Sequence, residues 1–534
     1  MRRWFLSALM SIAFVPAFAE VAAGHHPIVV VHQAPEGASA RSGAITLLDH
    51  DTFAVLRTVS FPMQPRPMGY DATGKVLVVL GQSTARQLTG ASTRPWKLFL
   101  VAVDTGKVRD VGEVGLPPVG FAYAPEQNRA YLLGQGRKKV EGSLTVVDLG
   151  GGMVVRRIPT PRGRPHAVLG PGSRVLFAEF GYGETGPNDP EPKMVVYDAK
   201  TLEKVAEQAL DPSPRRPVAS ADGAYVYVAC AGRTGPEAAA DGALFVFDAT
   251  TGRLAAKIAT GPGTRALTQD PDPSLVWSVA TGSKPSEGTV LAVRGAQVES
   301  RIAVPVGYGN VYPVPGGKAV LVMGARAVVE IGTDPIEKTR MWALDFEPAY
   351  VTFDPARNRA WVAAGYGSDY AVLDLAKGEV LVQATAGRSD APGTYAAEPG
   401  SLVMTMSPDA KRVFLANTRT DDVTVVDAET NQVEEVVATG GRTDSVLVAP
   451  GGSCLYVVAG DALVRIDAET HEAVRKCALA VRSGLAGVVN VHDGVAVVPQ
   501  ASGVEFVALD DGSTVAKREF ERPVDYIFVA SPER

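Results

Sequence analysis

The stretch that decides the fold runs from Arg412 to Gly452, RVFLANTRTDDVTVVDAETNQVEEVVATGGRTDSVLVAPGG. It holds three short apolar segments of period two, Val413 to Ala416, Val423 to Val426 and Val433 to Ala438, with Asn, Asp, Thr and Gly between them. Alternation of that period with turn residues at each break is the signature of strands joined by hairpins. Preceded by Ser401 to Met406 and the turn Pro408 to Lys411, the stretch reads as four successive strands.

Working outward, the third of these strands recurs along the chain with an aspartate at its end. The copies are Ile45 to Asp49, Val101 to Asp104, Leu144 to Asp148, Met194 to Asp198, Leu244 to Asp248, Tyr370 to Asp374, Val423 to Asp427, Leu463 to Asp467 and Glu505 to Asp510. Two further copies end at Arg294 and Gly332, and the eleven endpoints lie 38 to 55 residues apart. A repeat of four strands at about 46 residues predicts an all-β fold, a β-propeller of about eleven four-stranded blades. The first copy starts at its second strand, Ile28 to Val31, and the chain closes on an unmatched inner strand, Val524 to Ala530. Pairing of that C-terminal strand with the N-terminal blade would leave no bare edge. The tight turns between first and second strands favour one large ring; two tandem propellers with a boundary near 387–400 are the alternative.

The first 19 residues read as a signal peptide: Arg2 and Arg3, an apolar run from Trp4 to Phe18, and Ala17-Phe18-Ala19 before a cut at Glu20. The run is 15 residues long, whereas a bilayer span takes about 20. The expected location is therefore periplasmic or secreted, by the general secretory route or, given the paired arginines, by twin-arginine export. Residues 20–534 form the repeat region, and no transmembrane segment is expected in it. Loss of Arg2 and Arg3 takes the net charge of −6 to −8, a balance that argues against nucleic acid as partner. Cys230, Cys454 and Cys477 are an odd set. The last two fall on the second and fourth strands of one blade, about 9.5 Å apart, beyond the reach of about 7 Å that a disulfide allows. Free, buried thiols are expected.

The quoted stretch resembles the YVTN repeat of surface-layer and YncE-like β-propellers: Phe414-Leu415-Ala416-Asn417 stands for the eponymous tetrapeptide, and Tyr225 to Val228 and Leu455 to Val458 are looser copies. The resemblance implies a propeller and export. It implies no particular function, because that family is diverse and largely binding or structural. The repeated aspartates are read as turn formers that accept backbone N–H groups, as in Asp427-Ala428-Glu429-Thr430.

Arginine recurs where the chain approaches each inner strand: Arg66, Arg164, Arg215, Arg216, Arg265, Arg442, Arg482 and Arg522. Four of them precede proline, which fixes the backbone where the strand begins. One reading is a cationic collar for an anionic ligand, since guanidinium groups hold carboxylates bidentately. The other is salt bridging between blades, with Glu347, Glu398, Asp444 and Asp525 at comparable places. His166 is the one histidine at the start of an inner strand, either a ligand-facing base or a structural side chain. The remaining histidines are scattered and form no copper motif, although His25 and His26 are adjacent. Long loops at Gln82 to Lys97, Gly181 to Lys193 and Ala231 to Gly242 share that end of the blades; the second carries Glu184, Asn188, Asp189 and Glu191 without the spacing of a calcium loop. Nucleophile-elbow, phosphate-loop and zincin motifs are absent.

No cofactor or metal is expected from these residues. The expected activity is that of a binding scaffold for a protein or small anionic ligand. The rivals are an enzyme or enzyme subunit of the lactonase-like or amine-dehydrogenase heavy-subunit-like type, and a structural protein associated with the cell envelope.

Overall fold

The computed structural model describes residues 26–32, 42–71, 73–82, 96–115, 118–136, 141–161, 164–171, 175–181, 191–232, 242–282, 287–365, 367–387, 402–449, 451–479, 490–492 and 494–529. The expected signal peptide, the alternative boundary near 387–400 beyond Gly387 and most of the three long loops lie outside them. Among the described residues there are eleven four-stranded sheets and no α-helix. Ten sheets are built from four successive strands; blade 9, for example, takes Leu402–Met406, Arg412–Asn417, Asp422–Asp427 and Val433–Ala438 in that order. The first sheet alone mixes distant strands, with Val524–Phe528 beside Ile28–His32, then Gly43–Leu48 and Val55–Phe61. The fold is the β-propeller that the repeats predict, with eleven blades and a first blade completed by the C-terminal strand.

The chain divides into two compact units, one holding residues up to Phe180 with Asp198–Glu203 and Phe528–Arg534, the other Gly181–Tyr197 with Lys204–Ile527. In each, the core lies between neighbouring sheets. Blades 2 and 3 of the first unit enclose Val78, Leu80, Leu98, Tyr123, Leu132 and Val147. In the second, blades 6 and 7 enclose Trp277, Val290, Val322 and Val329, and blades 9 and 10 enclose Phe414, Val425, Val457 and Val464. The second and third strands are covered on both faces, which is why Tyr225–Cys230 and Ala243–Asp248 are almost continuously buried and apolar. Fourth strands alternate exposed and half-buried residues, as in Lys204–Ala209. These are the outer strands.

An outer strand leaves a bare hydrogen-bonding edge, and the structure interrupts it. Where the third strand meets the fourth, the register shifts by one residue near the third strand's end in blades 1, 3 to 9 and 11. In blade 9 the shift falls between Val425 and Val426 and leaves Glu434 as the extra residue. Such a bulge twists the edge and spoils it as a template for another chain. The sequence pattern did not show these bulges, because one added residue in a six-residue strand is invisible without its partner.

The strand-end aspartates behave as expected. Asp427 Oδ1 accepts the N–H groups of Glu429 at 3.0 Å and Thr430 at 2.6 Å, and Asp49, Asp198, Asp248 and Asp467 repeat the arrangement. Two copies depart from it. In blades 2 and 11, Ala102 and Ala508 occupy the place of Asp427, accepting the N–H of Gly106 and Gly512 on their carbonyls as Asp427 does from Asn431. Asp104 and Asp510 therefore lie two residues past the strand end, and in blade 11 it is Asp511 that accepts an amide, from Ser513.

These hydrogen bonds hold the carboxyl groups below the usual carboxylate range: the Thr430 amide is the largest cause at Asp427, and the corresponding threonine amide is so at Asp198, Asp248 and Asp467. A group whose value is depressed in the folded state lends stability above its unfolded value, about 3.9, and loses it as pH falls through the folded value. Replacing Asp198, Asp248, Asp427 and Asp467 together with Asn, which keeps the Oδ1 acceptor, is expected to flatten the fall in melting temperature between pH 5 and pH 2. Melts across that range check it, and an unchanged slope would show that the turns do not titrate with folding.

Neighbouring blades are clasped at the same end. The third residue of the second strand donates across to the next blade's turn: Tyr131 Oη to Ala199 O at 2.7 Å, Tyr227 Oη to Gly295 O at 3.0 Å and Tyr456 Oη to Ala508 O at 3.0 Å. Burial raises these phenols, Tyr131 to about 12. Arginines do likewise: Arg129 reaches Lys200 O at 2.9 Å, Arg359 reaches Ala428 O at 2.6 Å, and Arg57 and Arg340 reach Asp104 O and Leu375 O. Each of these turn carbonyls thereby gains a donor from the neighbouring blade. Cys230 and Cys454 are buried thiols outside any disulfide; the side chain of Cys477 lies outside the described residues.

Candidate functional site

A meander of four antiparallel strands places two connections at each end. The first-to-second and third-to-fourth turns share one end, which carries the clasps above. The opposite end carries the second-to-third connection and the segment that leads from the fourth strand into the next inner strand. Which edge is inner follows from packing: first strands of successive blades touch one another, as Val306–Pro313 touches Pro348–Asp354.

The backbone at this second end is drawn in closely. Gly242 donates to Gly261 O at 3.1 Å and accepts from Thr260 N at 2.9 Å. A Cβ on Gly242 would stand 2.4 Å from Gly261 O, so only glycine allows the approach. Thr260 and Thr264 then join hydroxyls at 2.5 Å, and Thr439 and Thr443 repeat the pair at 2.8 Å in blades 9 and 10. The shared Thr-Gly-x-x-Thr at 260 and 439 is the signal that would have located these staples in the sequence.

The described arginines expected at this end fall on separate blades, apart from Arg215 and Arg216. Arg66 lies in the inner strand Gln64–Tyr70 of blade 2, exposed, and its guanidinium makes no hydrogen bond or ion pair among the described residues. Arg164 opens the inner strand of blade 4, Arg164–Leu169, and His166 follows it half-buried; the Arg164 side chain itself lies outside the described residues. Arg215 and Arg216 precede the inner strand of blade 5, both exposed, with Arg215 N–H donating to Ala229 O at 2.7 Å. Arg265 sits where the inner strand of blade 6 shifts register between Thr264 and Ala266. Arg442, half-buried, accepts Gly460 N–H on its carbonyl at 2.7 Å. Arg522 precedes the C-terminal strand and has Nη1 buried without a hydrogen-bond partner. Arg482 and Glu398 lie outside the described residues.

Only Arg164 with His166, and Arg215 with Arg216, therefore share a blade. Blade 8 carries exposed Glu347 at the corresponding place, and blade 10 carries Asp444 at the register shift of its inner strand, Thr443–Val448. The two ends of the blades differ in exposure. Arg57, Arg129, Arg340 and Arg359 at the clasped end are half-buried and reach turn carbonyls, and Arg66, Arg215 and Arg216 at the other end are exposed to solvent. Exposed guanidinium groups on a rigid strand start can take a carboxylate or phosphate through paired N–H donors. Among the described residues no group of three His, Cys, Asp or Glu side chains is placed to hold a metal.

No protein-family model and no curated protein matches the chain. Among solved structures, dihydro-heme d1 dehydrogenase NirN in complex with DHE is similar over 67% of this chain and 75% of its own, at 19% identity and a TM-score of 0.37. Kuenenia stuttgartiensis hydrazine synthase is similar over 68% of this chain and 94% of its own, at 15% identity and 0.30. A eukaryotic initiation factor is similar over 81% and 95%, at 12% identity and 0.40. At these values they assign no activity to this chain.

Proposed function

We propose that this chain is an exported β-propeller, of the YVTN-repeat and YncE-like kind that its sequence resembles, which binds an anionic ligand or an acidic protein segment at the end of the blades opposite the clasps. The observation that carries the reading is the exposure of the arginines: those at the clasped end are half-buried, and Arg66, Arg215 and Arg216 at the other are exposed, with the backbone at Arg215 held by Ala229 O. Export is supported by the residues before Glu20.

The test is calorimetry with succinate and inorganic sulfate as probes. Replacing Arg215 and Arg216 together with Ala is expected to weaken the better-bound probe about tenfold, the loss expected when one charge-assisted hydrogen bond is removed. If binding of both anions is the same with and without the pair, the anion site is not there. Export is checked by expressing the full chain and asking whether the protein outside the cytoplasm begins at Glu20.

A further inference from the structure

Every large exposed apolar side chain among the described residues lies on an outer fourth strand, Val205, Leu254, Met341 and Val433 among them, with one exception. Tyr350 is 45% exposed and stands on the inner strand of blade 8, Pro348–Asp354. On an outer strand such exposure belongs to an edge beside a bulge. On an inner strand it has no such account.

The backbone under Tyr350 is built to hold it. The register shifts between Pro348, opposite Ala364, and Tyr350, opposite Ala363, so that Ala349 is an extra residue. Its carbonyl is gripped by two side chains from the inner strand of blade 7, Tyr312 Oη at 2.8 Å and Asn310 Nδ2 at 3.0 Å. A bulge re-aims the side chain that follows it, and two hydrogen bonds to the bulge carbonyl fix that aim before any ligand arrives. On the other side, Glu347 O accepts Gly365 N–H at 3.0 Å, so the backbone at Glu347 is fixed as well.

The charge at this place is reversed. Where Arg66, Arg164, Arg216 and Arg522 precede proline, blade 8 has Glu347 before Pro348, and Glu347 is exposed. A carboxylate and an accessible aromatic face three residues apart on a fixed backbone are the two groups that recognise an organic cation, one by charge and one through the ring quadrupole. The carboxylate repels an anion.

We propose that the start of blade 8's inner strand is a subsite for an organic ammonium group, with Tyr350 supplying the aromatic face and Glu347 the countercharge. The subsite is separate from the arginines of blade 5 and stands whether or not they bind anions. The probe is choline, compared by calorimetry with its uncharged isostere 3,3-dimethylbutan-1-ol on the full chain. Choline is expected to bind at least fivefold more tightly than the alcohol. Y350A and E347Q should each remove that preference, while Y350F keeps choline affinity within about twofold. Should Y350A lower the melting temperature, Y350L keeps apolar bulk without the π-face and must still lose the preference. Replacing Arg215 and Arg216 with Ala should leave choline binding unchanged. Equal binding of choline and the alcohol, or choline binding indifferent to Y350A and Y350L, overturns the proposal.

Discussion

Deletion of residues 524–534 is expected to cost about 5 kcal/mol, and with it the cooperative unfolding of the first blade. The deleted strand, Val524–Phe528, is the inner strand of that blade, and the sheet has no other source for it. Val524 and Ile527 are buried, and each such aliphatic side chain contributes about 1.5 to 3 kcal/mol. Their loss also turns Ile28–His32, now buried throughout, into an edge whose N–H and C=O groups have lost their ladder partners. Denaturant unfolding of the full and shortened chains decides the matter. A midpoint unchanged by the deletion would mean that the first blade does not depend on its C-terminal strand.

The second large effect separates two tryptophans that the repeat places alike. Trp277 and Trp361 are both fully buried on second strands, in blades 6 and 8. Trp277 Nε1 donates to Asp270 Oδ2 at 2.7 Å, whereas Trp361 Nε1 has no partner and its ring stacks on Tyr370 at 6.1 Å. Trp277→Ala is expected to cost about 4 kcal/mol through the cavity it leaves. The sharper contrast is with phenylalanine. Trp277→Phe strips a donor from Asp270, which is 6% exposed, and should cost about 2 to 3 kcal/mol. Trp361→Phe removes an N–H that is already unpaired and keeps a ring against Tyr370, so its cost should stay below about 1.5 kcal/mol. Equal losses in the two Phe variants, by denaturant titration, would show that the Asp270 hydrogen bond contributes nothing net.

Much of the scaffold was legible in the residues because it rests on local, repeated chemistry. The four strands of blade 9 lie within a residue or two of where alternation puts them, and Asp427 closes its turn as an aspartate there should. The same reading placed Asp104 and Asp510 at strand ends, where Ala102 and Ala508 stand instead. An aspartate two or three residues on still serves the turn, Asp104 by accepting Thr105 N–H and Asp511 by accepting Ser513 N–H, so composition could not tell the positions apart. The arginines among the described residues were legible as positions on the chain, in or just before an inner strand. Which of them face solvent was not. Tyr350 went unnoticed, because a tyrosine in Pro-Ala-Tyr-Val-Thr-Phe reads as one more strand residue until the bulge at Ala349 is seen.

By itself the sequence determined the period, the strand order within each blade, the supply of the first blade's inner strand from the far end of the chain, and the turn chemistry. All of these follow from alternation and from side chains acting on backbone a few residues away. Only the tertiary structure decided the bulges of the outer strands, the tyrosine and arginine clasps onto the next blade, the carbonyl grip on Ala349, and the burial that distinguishes Trp277 from Trp361. Each of those depends on what lies across a strand or blade boundary, commonly tens of residues away, and a contact of that kind leaves no period in the chain.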